Sequence, residues 1–164
     1  MSPHTDTSAE PPESVWDYPR PPAVRHSTET VEVHFGGQLV ARTTESVQVL
    51  ETTHPPTYYL PRSSFVEGVL HPVGGSTVCE FKGRADYFDV RAGGRVGRRA
   101  AWHYPEPVAG YEALLDHVAV MPGVMDACYV DGERVRPQEG GFYGGWITSK
   151  VQGPFKGGPG TLGW

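Results

Sequence analysis

The chain has 164 residues, enough for one domain with tails that buries a core without disulfide or metal support. Apolar residues make up only 38%, whereas 21 glycines and 16 prolines favour short strands, turns and ordered irregular segments over a helical bundle. A net charge of -5 argues against nucleic acid or an anionic membrane as main partner, and no apolar run reaches membrane-spanning length.

Residues 1–13 are polar, contain prolines and show no periodicity, so a disordered tail is expected there. Val15 to Pro22 follows as an arm that its prolines keep extended, with Trp16 and Tyr18 on one face as anchors. Three hairpins are predicted next. Val31–Phe35 turns through Gly36-Gly37 into Gln38–Ala41. Tyr87–Arg91 turns through Gly93-Gly94 into Arg95-Val96. Ala127–Val130 turns through Asp131-Gly132 into Glu133–Val135. Gly-Gly and Asp-Gly supply the positive φ angles that tight hairpin turns require. Further strands are expected at Ser46–Leu50 and Thr77–Glu80.

Two short helices are also predicted. Ser64 with Glu67 reads as a capping box before Val66, Val69 and Leu70, with a stop at His71-Pro72. Tyr111, Leu114, Leu115 and Val118 fall at i, i+3, i+4 and i+7, the spacing of an amphipathic helix that ends at Pro122-Gly123. From Gly140 onward the chain is glycine-rich, but Phe142, Tyr143, Trp146, Ile147, Phe155 and Trp164 recur through it. Aromatics at such intervals predict an ordered tail lying on the domain. The expected organisation is a tail (1–13), one domain that includes the arm (14–150) and a packed glycine-rich tail (151–164). The fold class is mainly β with two short helices.

Reactive and aromatic side chains crowd the middle of the chain. Cys79 lies three residues from Lys82, a cation able to favour the nucleophilic thiolate; the alternative is a small buried hydrophobe beside a solvated lysine. A turn must bring the two together, and Gly83 permits one. Glu51 ends an apolar run just before Thr52-Thr53-His54, as a general base or as a solvated strand terminus. Tyr58, Tyr59 and Arg62 follow two prolines, either to hold an anionic or polar ligand or to pack a corner. Strand alternation sends one tyrosine inward and the other outward. Trp102 and Tyr104 share a face around His103, as pocket wall or core, which turns His103 to solvent. Tyr87 completes an expected wall of rings. Arg84, Arg91, Arg95, Arg98 and Arg99 form a basic cluster that suits a phosphate or carboxylate, or serves as a solvated edge.

Seven histidines show neither HxH nor HExxH spacing, and two cysteines without a CxxC cannot build a cysteine-rich zinc site, so no metal is expected. Residues 153–161 fail the order of a phosphate loop, because Lys156 precedes the paired glycines and no helix follows. No basic-then-apolar leader opens the sequence; the expected compartment is the cytoplasm, with Cys79 and Cys128 as reduced thiols.

The segments Glu13–Pro22, His54–Pro61, Cys79–Gly83, Ala101–Pro107 and Gly153–Gly160 together resemble the DUF427 family, a bacterial and fungal domain of unknown function that some collections label nucleotidyltransferase-like. The resemblance spans nearly the whole chain after the first dozen residues. It implies a small β-tent-like antiparallel β domain with extended N- and C-terminal arms. β-tent folds often hold zinc on paired CxxC knuckles, which this chain lacks, so neither metal nor cofactor carries over. Nucleotidyl transfer would require paired carboxylates for Mg²⁺ after a Gly-Ser turn, and the sequence has no such signature.

The expected function is a small-molecule-acting domain with an aromatic-lined polar pocket. Tyr58, Tyr59, Arg62, Tyr87, Trp102 and Tyr104 would hold a small ligand, anionic by its basic surroundings. Cys79, Lys82 and Glu51 would supply enzyme chemistry. The alternatives are a non-catalytic module that binds a small ligand or peptide, and an interaction protein that forms dimers through its terminal arms.

Overall fold

The computed structural model describes residues 11–140 and 143–164. The tail expected over residues 1–13 lies outside the described residues as far as residue 10, and so does Phe142. The N-terminal strands are β1 (Glu13–Ser14), β2 (Ala23–His26), β3 (Val31–Phe35), β4 (Gln38–Thr43) and β5 (Val47–Leu50). The central ones are β6 (Thr57–Pro61), β7 (Leu70–Cys79), β8 (Gly83–Ala92), β9 (Arg95–His103) and β10 (His117–Val120). The rest are β11 (Ala127–Val130), β12 (Glu133–Arg134), β13 (Arg136–Pro137), β14 (Trp146–Ile147) and β15 (Val151–Gln152).

A seven-stranded antiparallel sheet in the order β2-β5-β6-β10-β9-β8-β7 forms the body, and a four-stranded sheet β12-β11-β3-β4 packs against it. The three expected hairpins form as read. Phe35 pairs with Gln38, Ala92 with Arg95 and Val130 with Glu133, each across a two-residue turn whose residues both have positive φ. Gly36 and Gly93 have a second role. Their turns meet backbone to backbone, so a Cβ on either would collide with the other's strand end or turn.

Alternation assigns the apolar residues to the two faces of the large sheet. Val31, Val33 and Val130 from the small sheet meet Tyr58, Leu60, Phe88, Val90 and Val118 from the large one in the main core. Trp146 is fully buried there, 5.0 Å from the Tyr58 ring centroid. The opposite face of the large sheet carries a second cluster of Val47, Val49, Tyr59, Tyr104, Tyr111 and Leu114.

The two expected helices are present only as 3-10 turns, Arg62–Ser64 and Glu112–Leu114. Ser64 does not cap a helix, because its hydroxyl donates to the Pro61 carbonyl at 2.6 Å and the chain then passes into β7. The helical spacing from Tyr111 to Val118 is broken at Asp116, which takes φ +59. Beyond it, His117–Val120 runs as β10 between β6 and β9. A strand covered on both faces reads as a continuous apolar run, and pairing on both edges outweighs a two-turn helical pattern.

The terminal segments close on the same side of the domain. β1 pairs in parallel with β15, Glu13 beside Val151, and Val15, Tyr18, Leu50 and Val151 form a third apolar cluster. Trp16 donates its indole N–H to the Pro154 carbonyl at 2.8 Å and packs edge-on against Trp164. Among the described residues no helix is long and apolar enough to cross a membrane.

Phe88 is 2% exposed and sits between the two sheets. Phe88→Ala is expected to lower the unfolding free energy by about 3–5 kcal/mol, measured from urea melts, because the cavity it leaves is walled by paired strands that cannot collapse.

Candidate functional site

The second face of the large sheet is only partly covered, and the uncovered part is a cleft of about 550 Å³. Its floor is built by strand register. Tyr87 on β8 stands opposite Trp102 on β9, which stands opposite Ala119 on β10, while Tyr59 reaches the same face from β6. The Trp102 indole N–H donates to the Tyr59 hydroxyl at 3.3 Å, and the two rings meet edge to face. Tyr104 tilts against Tyr59 with ring centroids 6.2 Å apart. Burial raises the phenol pKa of both Tyr59 and Tyr104, so both stay protonated as donors.

Cys79 and Lys82 both line this cleft. The intervening turn exists: Cys79 pairs with Gly83 at the end of the β7–β8 hairpin, and Lys82 lies in the loop between them. The Lys82 ammonium stands 5.9 Å from the Tyr104 ring centroid. Cys79 is a half-buried free thiol, whereas Cys128 is buried in the main core, which pushes its thiol up to about 12. Glu51 lines the cleft as well, with its carboxylate engaged by the Arg20 guanidinium at 3.1 Å.

Two residues expected at the site lie elsewhere. Tyr58 is buried on the core face, the opposite side of the sheet from Tyr59. Its hydroxyl donates to Glu29 at 3.0 Å and accepts from Gln48 at 2.9 Å. Arg62 leaves β6 at its far end and lays its guanidinium over the Phe88 ring at 4.9 Å. Both tyrosines are thus buried, on different faces. His103 is not turned to solvent but is half-buried, its ring 4.8 Å from that of Phe88. The arginine cluster is largely spent on carboxylates: Arg84 on Asp86, Arg95 on Asp126 and Arg91 on Asp89. Arg99 alone of the five lines the cleft, stacked 4.2 Å over the Tyr87 ring, with its backbone at φ +49 held by the buried Asp89 carboxylate.

The opposite wall comes from segments distant in sequence. His54, Gln138, Tyr143, Gly144 and Lys156 face the sheet across the cleft. Gln138 ties this wall together, donating to the Lys156 carbonyl at 2.7 Å and accepting from the Gly145 N–H at 3.2 Å. Gly144 lies against Trp102, where any Cβ would be driven into the indole ring. The sequence signals for this wall were His54-Pro55-Pro56 and the recurring aromatics that include Tyr143; nothing local marks Gln138 or Lys156 as neighbours of Trp102. Among the described residues no group of three His, Cys, Asp or Glu is placed to hold a metal ion.

Burial holds the His54 and His103 pKa values below the ordinary imidazole value of 6.5, so both favour the neutral form in the fold. The unfolded chain therefore binds protons first as pH falls. The stabilising contribution is complete above 6.5 and is lost below it. Urea melts between about pH 8 and 5 are expected to show this loss, and a His54→Asn, His103→Asn double variant should flatten it. Gly144→Ala is expected to displace Trp102 and shift its fluorescence while leaving far-ultraviolet dichroism unchanged.

No curated protein matches the chain. The sequence model of a domain of unknown function (DUF427) matches residues 23–131, the span from β2 to the turn after β11. That span contains the whole seven-stranded sheet, and with it the cleft floor, whereas Gln138, Tyr143 and Lys156 lie beyond it. The match covers well over half of the chain, which therefore belongs to the DUF427 family.

Proposed function

We propose that the protein takes a small anionic molecule with a flat apolar body into the cleft between the large sheet and the C-terminal wall. The observation that carries this reading is the convergence of Tyr59, Tyr87, Trp102 and Tyr104 with Lys82, Arg99 and Lys156 around about 550 Å³. Rings set edge to face and tilted against one another offer apolar faces between which a flat body can lie, and amines and a guanidinium at the margins favour a negative group. The volume falls within the range of small-molecule pockets, of about 300–1,000 Å³. An extended polymer such as nucleic acid would meet an acidic protein. The free thiols of Cys79 and Cys128 suit a reducing, cytoplasmic setting.

Enzyme chemistry on such a ligand would use Cys79 as the nucleophile, since its thiol borders the rings that would hold the ligand. Lys82 would assist it across the tight loop. Glu51 suits an acid–base role less well, because Arg20 already engages its carboxylate. A non-catalytic binding module is the second reading, favoured by that same Arg20 contact.

A panel of aromatic carboxylates and phenols at millimolar concentration should quench the intrinsic tryptophan fluorescence of the protein. Trp102→Ala should abolish saturable binding of the same panel, read by equilibrium dialysis; retained binding in that variant would place the ligand elsewhere. Alkylation of Cys79 by iodoacetamide is expected to slow when a bound panel member is present. If Cys79→Ala binds the panel unchanged and the Cys79 thiol reacts no faster than free cysteine between about pH 6 and 9, the nucleophile role is lost and the binding reading stands alone.

A further inference from the structure

The segment from Glu51 to His54 is held more firmly than a connection between β5 and β6 requires. The Thr52 N–H donates to the Pro19 carbonyl at 3.1 Å and the Thr53 N–H to that of Val15 at 3.0 Å. From the other side the Lys156 N–H donates to the Thr53 carbonyl at 2.8 Å. The N-terminal arm and the C-terminal wall thus clamp one short loop between them. The loop carries strain within that clamp. Thr53 is β-branched, yet it takes φ +71 in the left-handed region, and its hydroxyl is buried with no hydrogen-bond partner among the described residues. A glycine would remove both penalties. Strain that the surroundings hold in place is characteristic of segments that position a functional group.

The group so positioned is His54. Its ring lines the cleft, packed edge-on against Tyr143 with centroids 5.5 Å apart. Its Nδ1 lies 3.1 Å from the Thr52 carbonyl oxygen, which can only accept, so Nδ1 carries the hydrogen. The lone pair is left on Nε2. The charged and titratable groups around the ring are Arg20 from the arm, Glu51 from the same loop, and Lys156 and Tyr143 from the C-terminal wall. Arg20 is paired with Glu51, so Lys156 supplies the positive charge at this end of the cleft; its ammonium donates to the Trp164 carbonyl at 3.2 Å.

We propose that His54 is the proton acceptor of the cleft and that the ligand is a small flat molecule bearing an acidic hydroxyl, a phenol or an enol. The ligand O–H bond breaks, its electron pair remains on oxygen, and the proton passes to His54 Nε2. The imidazolium and the new oxyanion then face each other, with Lys156 close enough to stabilise the anion. This rests on the cleft being the ligand site. It adds what the ligand must carry and which residue reads it.

The test uses para-nitrophenol, whose ionisation changes its absorbance, with the full chain and three variants. The bound probe is expected to ionise at a lower pH than the free probe, with an ionisation constant raised at least about tenfold, one pKa unit. His54→Asn keeps a side-chain N–H for the Thr52 carbonyl and removes the base. It should still bind the probe, more weakly, and the bound probe should keep only the smaller part of the shift that Lys156 supplies. Lys156→Met leaves the loop and its backbone clamp intact and should lose part of the shift. An undiminished shift in His54→Asn, or no shift in the wild type with binding retained, would overturn the assignment of His54 while leaving the cleft as a binding site. Wild-type binding that Trp102→Ala does not disturb, or no wild-type binding at all, would overturn the cleft reading and this one with it. If His54→Asn fails to fold by circular dichroism, the Lys156→Met result and heteronuclear NMR of the wild-type ring decide. A hydrogen on Nε2 rather than Nδ1 at neutral pH would refute the proposal.

Discussion

Tyr58 and Tyr59 are neighbours in the chain, and both are buried, on opposite sides of one sheet. That alternation is the constraint on which the molecule is organised. The seven-stranded sheet needs cover on both faces, because each strand sends every second side chain to each side. The four-stranded sheet and Trp146 bury the central part of one face. The other face is sealed only in part, by Tyr111 and Leu114 at one end and by the C-terminal wall at the other. The cleft is what remains uncovered between them. Its floor takes its rigidity from the sheet, since the Tyr59, Tyr87 and Trp102 rings stand on hydrogen-bonded strands and Tyr104 directly follows one.

The terminal arms do different work from the hairpins. They add little to the main core, which the two sheets build with Trp146 and a few loop residues. They build a small apolar cluster of their own around Val15 and Leu50, and from it they grip the loop that carries His54. A polar chain runs beneath: Tyr18 donates to Glu13, Glu13 holds Arg25, Arg25 reaches Gln48, and Gln48 donates to Tyr58. Every member has a partner, which lets polar groups lie against the sheet without the penalty of an unsatisfied buried atom. The Tyr58 hydroxyl is thereby committed to structure, and the Tyr59 hydroxyl is left to the cleft.

The cleft is chemically two-ended. The Cys79 and Lys82 end is a hairpin tip, where a three-residue loop brings a thiol and an amine to the rim. The His54 and Lys156 end is assembled from three separated stretches of chain. The rings of Tyr59 and Trp102 lie between. Their hydrogen bond lets a fully buried phenol and a half-buried indole share one surface without an orphaned N–H.

Local chemistry was enough to determine the hairpins, the β class and the crowding of aromatic and reactive residues between His54 and Tyr104. A Gly-Gly or Asp-Gly turn needs only its own φ angles, and alternation needs only neighbouring residues. Seven of the nine residues first singled out, Glu51, Tyr59, Cys79, Lys82, Tyr87, Trp102 and Tyr104, share the cleft because they fall on strands that pair or in the turns at the ends of those strands. Tyr58 and Arg62 do not, and no local rule could separate Tyr58 from Tyr59, since the face each takes depends on which face of the sheet the second sheet covers. Tertiary structure alone decided that Val118 belongs to a central strand and that Gln138 and Lys156 stand across from Trp102. Those placements depend on strand pairing and on closure of chain ends over a hundred residues apart, energies that no short window of sequence contains.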